Sequence, residues 1–281
     1  MNVDELLVRP GHPPRLDQRD PRASAPFGRK SEARQLLKSD LERLAALQDV
    51  FYAARTQALL IVLQGMDSAG KDGVVKHVMS GVNPEGVDVH SFKEPTGEEL
   101  AHDFLWRCAR VLPERGRIGI FNRSHYEEVV ILRVHEDLLA REGVTPSKHL
   151  WDDRFEDING FERHLARNGT IVLKFFFHIS KDEQRKRLVK RLDDPRKYWK
   201  FSENDVQERR YWDDYQTAYE AALKATSTDD APWYVIPADR KWYARTAIAN
   251  VIVGKLDALK LAYPQPSDER VEQFRQQLAN E

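Results

Sequence analysis

The passage that most constrains the fold is Ala58-Leu-Leu-Ile-Val-Leu-Gln64, an unbroken apolar run that stops at a glycine and leads straight into a polar turn. A run this short, without alternation, reads as a strand buried on both faces, the character of a parallel sheet. Similar runs occupy 87–92, 117–122, 170–178 and 233–237. Stretches with helical character separate them: 73–80, 97–112, 124–168 with a break near Pro146, 181–228 with breaks near Pro195, and 242–262. Thr96-Gly-Glu-Glu99 and Ser180-Lys-Asp-Glu183 have the spacing of capping boxes, a hydroxyl three residues ahead of a Glu. Upstream, Leu36, Leu37, Leu41, Leu44, Leu47 and Phe51 mark an amphipathic helix from Ser31 to about Arg55. Strands alternating with helices imply right-handed crossovers, hence an α/β fold of three layers around a parallel sheet of about five strands.

Five of the 14 prolines fall within residues 1–29, which reads as an extended arm, lying on the core or disordered. The main domain is expected over 30–265 and a tail over 266–281. With 44 Lys plus Arg against 45 Asp plus Glu, the chain is not a globally basic nucleic-acid binder, and any anion site must come from local segregation of charge. The single Cys108 cannot form an internal disulfide and reads as a buried, inert thiol. No run of about 18 apolar residues occurs, so no membrane span is expected and a soluble, cytoplasmic protein is.

Gly65-Met-Asp-Ser-Ala-Gly-Lys-Asp72 matches G-x-x-x-x-G-K, the Walker A pattern, in the strand–turn–helix setting which that motif requires. Gly65, Ala69 and Gly70 let backbone N–H groups converge on phosphate oxygens, and Lys71 reaches the transferring phosphate. Where a magnesium-binding Ser or Thr is usual, the chain has Asp72, and Asp67 adds a carboxylate inside the loop. A carboxylate in a phosphate cradle calls for an intervening cation, so Asp67 reads as a Mg²⁺ ligand, directly or through water. Asp72 has two readings, a second ligand or simple dipole stabilisation in the helix's first turn.

Ligands collect at the carboxyl ends of parallel strands. The second run ends in Phe92-Lys-Glu-Pro-Thr96, placing Lys93, Glu94 and Thr96 near the loop. The third ends in Asn122-Arg-Ser-His-Tyr-Glu-Glu128, with Arg123 suited to bidentate phosphate contact and Glu127 and Glu128 available to metal or acceptor. Asn122 stands where an Asp is expected. Arg123 and Glu127 also have the spacing of an ordinary surface pair. His90, His125 and His178 lack metal-ligand spacing and read as structural, His125 at most as site-lining.

Taken together, the Gly65–Asp72 loop, Asn122-Arg-Ser-His-Tyr-Glu-Glu128 and the Trp199-Lys-Phe201 segment resemble the polyphosphate kinase 2 family, over about residues 30–265. The resemblance implies a P-loop kinase fold similar to thymidylate kinase with a helical lid over about 181–215, Mg²⁺ dependence, and phosphate transfer between polyphosphate and nucleotides. Many members carry Asp-Arg-Ser-Trp-Tyr-Asn in the third-strand motif; Asn122 to Glu127 is similar instead to the subgroup accepting both AMP and ADP. The implied partners are inorganic polyphosphate and AMP, ADP and ATP, within a homo-oligomer, with no nucleic acid and no membrane. Asp67 and Glu127 are the expected metal residues, and Asp67, Lys71, Asn122, Arg123 and Glu127 the catalytic ones.

Residues 181–200 hold nine Lys or Arg against four Asp or Glu in a chain of net charge −1. Such a run is ordinarily a solvated face, but beside a phosphate loop it suits a chain of phosphates, gripped by Arg187, Arg191 and Lys200. Leu188 and Leu192 form the expected anchoring stripe. Tyr198, Trp199 and Phe201 fit either core packing or base stacking on single-stranded nucleic acid. An ATP-dependent kinase and a polyphosphate-binding module with a decayed site are the competing readings.

Overall fold

All seven residues of the strand Ala58–Gln64 are buried, because the strand lies inside a sheet that helices cover on both faces. The computed structural model of the chain describes residues 1–281, the side chain of Lys200 excepted. Its six strands are β1 (Leu7–Val8), β2 (Ala58–Gln64), β3 (Val87–Ser91), β4 (Ile118–Asn122), β5 (Thr170–His178) and β6 (Trp233–Pro237). They lie in the order β1-β6-β5-β2-β4-β3. Every pairing is parallel except that of β1 with β6. The helices of eight or more residues that position the site are α1 (Lys30–Ala54), α2 (Lys71–Val78), α3 (Glu127–Val134), α4 (Leu150–Arg167), α5 (Lys181–Leu192), α6 (Trp212–Thr226) and α7 (Lys241–Ala258). Helix α7 packs on α1 and α2, whereas α3, α4 and α6 pack on one another, with α4 also against β5. The result is three layers.

The register explains where a site must lie. Leu63 pairs with Asn122 on one side and Phe175 on the other, and Ser91 pairs with Asn122, so the strands end level. The chain leaves β2 for β4 and β3 on one side and for β5 and β6 on the other, making the end of β2 a topological switch point. Leu59 to Leu63 are each at most 1% exposed. Truncating one of them to Ala costs about 2–5 kcal/mol, since cavity formation adds to lost burial.

The structure differs from the sequence-based expectation in five places. Of the two readings of the arm, lying on the core holds at Leu6, Val8 and Leu16, which are buried, and beyond either reading Leu7–Val8 pairs as a strand that extends the sheet to six. The helix expected over 97–112 is only Gly97–Leu100 and Trp106–Ala109, parted where the Asp103 carboxylate accepts the Leu105 N–H at 3.0 Å and turns the chain. Within the tail lies the helix Asp268–Ala279, which buries none of its residues. Leu192 is exposed, so Leu188 alone anchors that stripe of α5. Of the two expected capping boxes, the one at Thr96 forms in full. At Ser180 the hydroxyl accepts the Glu183 N–H, but the Glu183 carboxylate turns to Arg187 instead. Among the described residues no helix is long and apolar enough to cross a membrane.

Candidate active site at the switch point

Gly65 leaves β2 at φ +146°, with Phe177 of β5 so close that a Cβ would lie 2.9 Å from its carbonyl oxygen. Only glycine serves there. Gly70, at φ +117°, caps α2, and Ser68 between them is also left-handed at φ +64°. Ala69 is buried against the core. Lys71 in the first turn of α2 folds back over the loop, its ammonium donating to the carbonyls of Gly65 and Met66. Burial and then the Arg123 guanidinium lower the Lys71 pKa, while Asp67, Glu127 and Asp72 oppose that shift.

Arg123 follows β4 in the left-handed region, φ +64°, which aims its side chain across the strand ends. One guanidinium nitrogen donates to Asp67 at 2.6 Å and another to Glu127 at 3.3 Å. The i,i+4 pair is therefore real, but it lies inside the site and bridges the two carboxylates expected to bind metal. Glu127 foremost, and Asp67 as well, hold Arg123 above the usual guanidinium range against the effect of burial. Asn122 donates to Asp72 at 2.9 Å, while its own carbonyl oxygen is buried with no hydrogen-bond partner among the described residues. Behind this turn lies a buried network that sequence reading did not anticipate. Lys174 of β5 donates to Glu162 at 2.5 Å, to the Tyr126 hydroxyl at 2.8 Å and to the Thr226 carbonyl at 2.7 Å. His125 also faces Glu162 there and does not line the site.

Several expected site residues are placed otherwise. Arg187 is not a free cation over the cleft: its guanidinium donates to the carbonyls of Ser68, Ala69, Ala238 and Asp239 and to the Glu183 carboxylate. It is 7% exposed and acts as a clasp beneath the loop Gly65–Asp72. Helical spacing explains why: Gln184, Arg187 and Leu188 share the inward face of α5, and Gln184 likewise donates to the Asp67 carbonyl at 3.0 Å. Thr96 is occupied in capping and lines neither of the cavities described below. Glu128 is not open to a metal; it is buried against Arg107 at 2.8 Å and Arg154 at 3.8 Å. Arg191 pairs with Asp205 at 3.0 Å. Lys93 is exposed at the cleft, and Glu94 beside it pairs with Arg141. The side chain of Lys200 lies outside the described residues. Tyr198 and Trp199 are exposed, which removes core packing as their explanation.

Two cavities open from the loop. The first, of about 980 Å³, runs from Gly70 and Lys71 along α5 and α7, and its lining holds nine Lys or Arg against four Asp or Glu. The second, of about 780 Å³, runs between β3's exit and α3 to Glu208, with four Lys or Arg against eight Asp or Glu, and Leu100, Ile131, Leu132 and Leu138 among its walls. They share Asp67, Lys93, Glu94, Arg123 and Asp205. Asp205, Lys241, Arg245, Arg107 and Arg154 were not anticipated, because nothing local in the sequence distinguishes them from surface charges. Burial and the nearby Asp67 carboxylate raise the Asp205 pKa.

No cluster of three or more His, Cys, Asp or Glu side chains suited to a metal occurs among the described residues. A Mg²⁺ ion needs fewer, since it is typically held by one or two carboxylates plus substrate phosphates and water. Asp67, part-exposed at the mouth shared by both cavities, fits that requirement.

Over most of its length the chain is similar to known proteins. The family model described as Polyphosphate kinase 2 matches residues 28–264. An ADP-polyphosphate phosphotransferase of Rhodopseudomonas palustris is 52% identical over 256 residues, 89% of each chain. An AMP/ADP-polyphosphate phosphotransferase of Meiothermus ruber is 47% identical, over 94% of this chain and 96% of that one. A crystal structure of polyphosphate kinase 2 from Arthrobacter aurescens superposes with a TM-score of 0.89 at 42% identity, covering 98% of this chain and 95% of that one.

Proposed function

The chain belongs to the polyphosphate kinase 2 family, and from that premise we propose that it moves the terminal phosphate of inorganic polyphosphate onto AMP and ADP, giving ADP and ATP. One observation carries the assignment of substrates within the cleft: its two cavities have opposite charge and meet at Asp67 and Arg123. A polyanionic donor belongs in the basic arm. The acidic arm, with its apolar walls and its carboxylates largely paired to Arg107, Arg154 and Arg141, suits the nucleoside end of an acceptor.

In this reading the fold is a P-loop kinase fold, with 181–215 as its lid. The acceptor phosphate oxygen attacks the terminal phosphorus of the donor in line, and the bond to the next bridging oxygen breaks. One phosphoanhydride is exchanged for another when ADP is the acceptor, so the transfer is reversible. Little proton chemistry is needed, because the attacking oxygen is already anionic; positioning and charge neutralisation are the protein's work. Lys71 and Arg123 leave their carbonyl and carboxylate partners for the oxygens of the transferred group. Arg187 and Gln184 keep the loop's carbonyls turned away from the phosphate so that its N–H groups face inward. Mg²⁺ would be held by Asp67, with Glu127 available for a second ion, and would supply further charge neutralisation.

Incubating the protein with long-chain polyphosphate, Mg²⁺ and AMP, ADP, GMP or GDP, without ATP, tests the reading. Formation of ADP from AMP and ATP from ADP is expected. Activity only with ATP as donor would make this an ATP-dependent kinase, and binding without turnover a polyphosphate-binding module.

A further inference from the structure

Directly behind the turn that presents Arg123 and Glu127, the core holds a lysine and a glutamate where apolar side chains would be usual. Lys174, in the middle of β5, and Glu162 of α4 are at most 1% exposed, as is Tyr126. Each of the three ammonium hydrogens has an acceptor: the Glu162 carboxylate, the Tyr126 hydroxyl and the Thr226 carbonyl at the end of α6. The Tyr126 hydroxyl donates in turn to Glu162 at 2.8 Å, and His125 donates from Nε2 to the same carboxylate at 3.4 Å. Burial alone would raise the Glu162 pKa, yet Lys174 and His125 bring it below the ordinary carboxylate value, so the pair is ionised. The Trp233 ring of β6 closes the cluster, 5.1 Å from the Lys174 ammonium and 4.7 Å from the Tyr126 ring.

Stability does not account for such a cluster. A buried ion pair is commonly no more stabilising than apolar side chains of the same volume. What a fully satisfied set of hydrogen bonds adds is direction, because it admits one arrangement where apolar surfaces can slide.

The geometry that needs fixing lies next to it. Arg123 sits at φ +64°, a conformation that residues other than glycine seldom take and that persists only where the surroundings enforce it. On one side its N–H donates to the Leu63 carbonyl at 3.1 Å. On the other, the Ser124 hydroxyl accepts from Gln64 and from the Tyr126 N–H, both at 3.2 Å. The side chains of His125 and Tyr126 are then gripped by the buried pair. Tyr126 immediately precedes Glu127 and the start of α3, so the place where it is held sets where Glu127 stands, and Glu127 in turn accepts from Arg123.

We propose that Lys174, Glu162 and Tyr126 are positioning residues for phosphate transfer, which lock the turn between β4 and α3 so that Arg123 and Glu127 meet the transferred group in one geometry. The inference rests on the phosphotransfer reading above and adds to it the groups that hold its cation in place. None of the three lines either cavity, so they act through the turn and not on a substrate.

The test replaces the cluster by apolar side chains of similar volume, Lys174→Met, Glu162→Met and Tyr126→Phe combined, beside Tyr126→Phe alone. Because the partners go together, no buried charge is left unpaired, and the triple variant should melt cooperatively within about 5 °C of the wild type. Its kcat should fall about 30- to 100-fold with AMP and ADP alike, since a displacement of about 1 Å at the reacting groups has that effect. KM for polyphosphate should stay within about threefold, a split that general loss of structure would not give. Tyr126→Phe, which leaves the ion pair whole, should lower kcat about 3- to 10-fold. In an Arg123→Ala background the same change should cost clearly less, because the guanidinium it orients is gone. If the triple variant does not fold, Tyr126→Phe decides by the same criteria. A folded triple variant with half or more of the wild-type kcat would overturn the proposal and leave phosphotransfer standing. So would a Tyr126→Phe protein with unchanged kcat, or one whose loss is the same with and without Arg123. A wild type that turns over no nucleotide with polyphosphate would overturn the proposal together with the reading beneath it.

Discussion

The two arms of the cleft are built from similar numbers of charged residues and behave oppositely. In the acidic arm the charges are spent on one another: Glu142 meets Arg154, Glu94 meets Arg141, and Asp67 and Glu127 both meet Arg123. In the basic arm Lys190, Lys241 and Arg245 face the cleft and, among the described residues, make no ion pair. Self-paired charge rigidifies a wall and leaves little field; unpaired charge of one sign focuses a field that draws in a polyanion. A chain with a net charge of −1 thus acquires a strongly positive half-site by segregation alone.

The largest expected effect falls where the arms meet. Lys71→Ala should lower kcat about 100- to 1000-fold with either acceptor, because it removes one preorganised positive charge from the transferred phosphate. Thermal melting should stay cooperative. A folded variant retaining a tenth of wild-type kcat would detach the loop from the chemistry.

Arg187 sharpens the boundary between a cation that binds donor and one that holds the loop. Arg187→Ala leaves four carbonyls, two of them fully buried, and Glu183 without their donor, at a cost of about 3 kcal/mol. A Tm about 5–10 °C lower is expected, together with a kcat loss exceeding any change in donor KM. A rise in donor KM at unchanged Tm would return Arg187 to the role of a phosphate grip.

Within the acidic arm, Glu127→Asn tests how a short acceptor is held. If Glu127 anchors a second Mg²⁺ against AMP, turnover of AMP should fall about tenfold further than turnover of ADP. An equal drop would confine Glu127 to orienting Arg123.

The smallest effect concerns pH. Burial, and then the Glu142 charge, push the Glu128 carboxyl up to about 8, against the pull of Arg107 and Arg154. Between its ordinary value of 4.5 and about 8, the folded protein keeps a proton that the unfolded chain has released. Stability therefore decreases as pH rises through that window. In Glu142→Gln the Glu128 carboxyl should come down, and the Tm decrease between about pH 6 and pH 8 should shrink by about 2–4 °C. An unchanged Tm profile would show that Glu142 does not set the charge of this wall.

How much of this was readable beforehand depended on whether the deciding interaction was local. The runs at 58–64, 118–122 and 170–178 are apolar without a break because both faces of their strands are covered, so composition alone reveals them. Gly65 and Gly70 are legible because backbone geometry demands glycine at both positions, and Lys71 because the motif fixes its place at the start of the following helix. Leu7–Val8 was not legible, since a two-residue edge strand among prolines acquires its identity only from pairing with Trp233 and Tyr234. Arg187 and Lys190 sit in the same charge run, yet one faces the loop's carbonyls and the other the cleft. Only the packing of α5 separates them. Lys241 and Arg245 begin an otherwise apolar helix some 170 residues from the loop, and no spacing rule connects the two.

The division of the cleft is itself open to one direct measurement, the ionic-strength dependence of the two KM values in the wild type. Binding of a polyanion to several cations releases counterions, so its affinity falls as a power of the salt concentration. With the donor in the basic arm, KM for long-chain polyphosphate should climb at least about tenfold between roughly 50 and 200 mM salt. KM for ADP should move only slightly over the same range. Equal slopes for donor and acceptor, or a steeper one for ADP, would contradict the placement of the polyphosphate between α5 and α7.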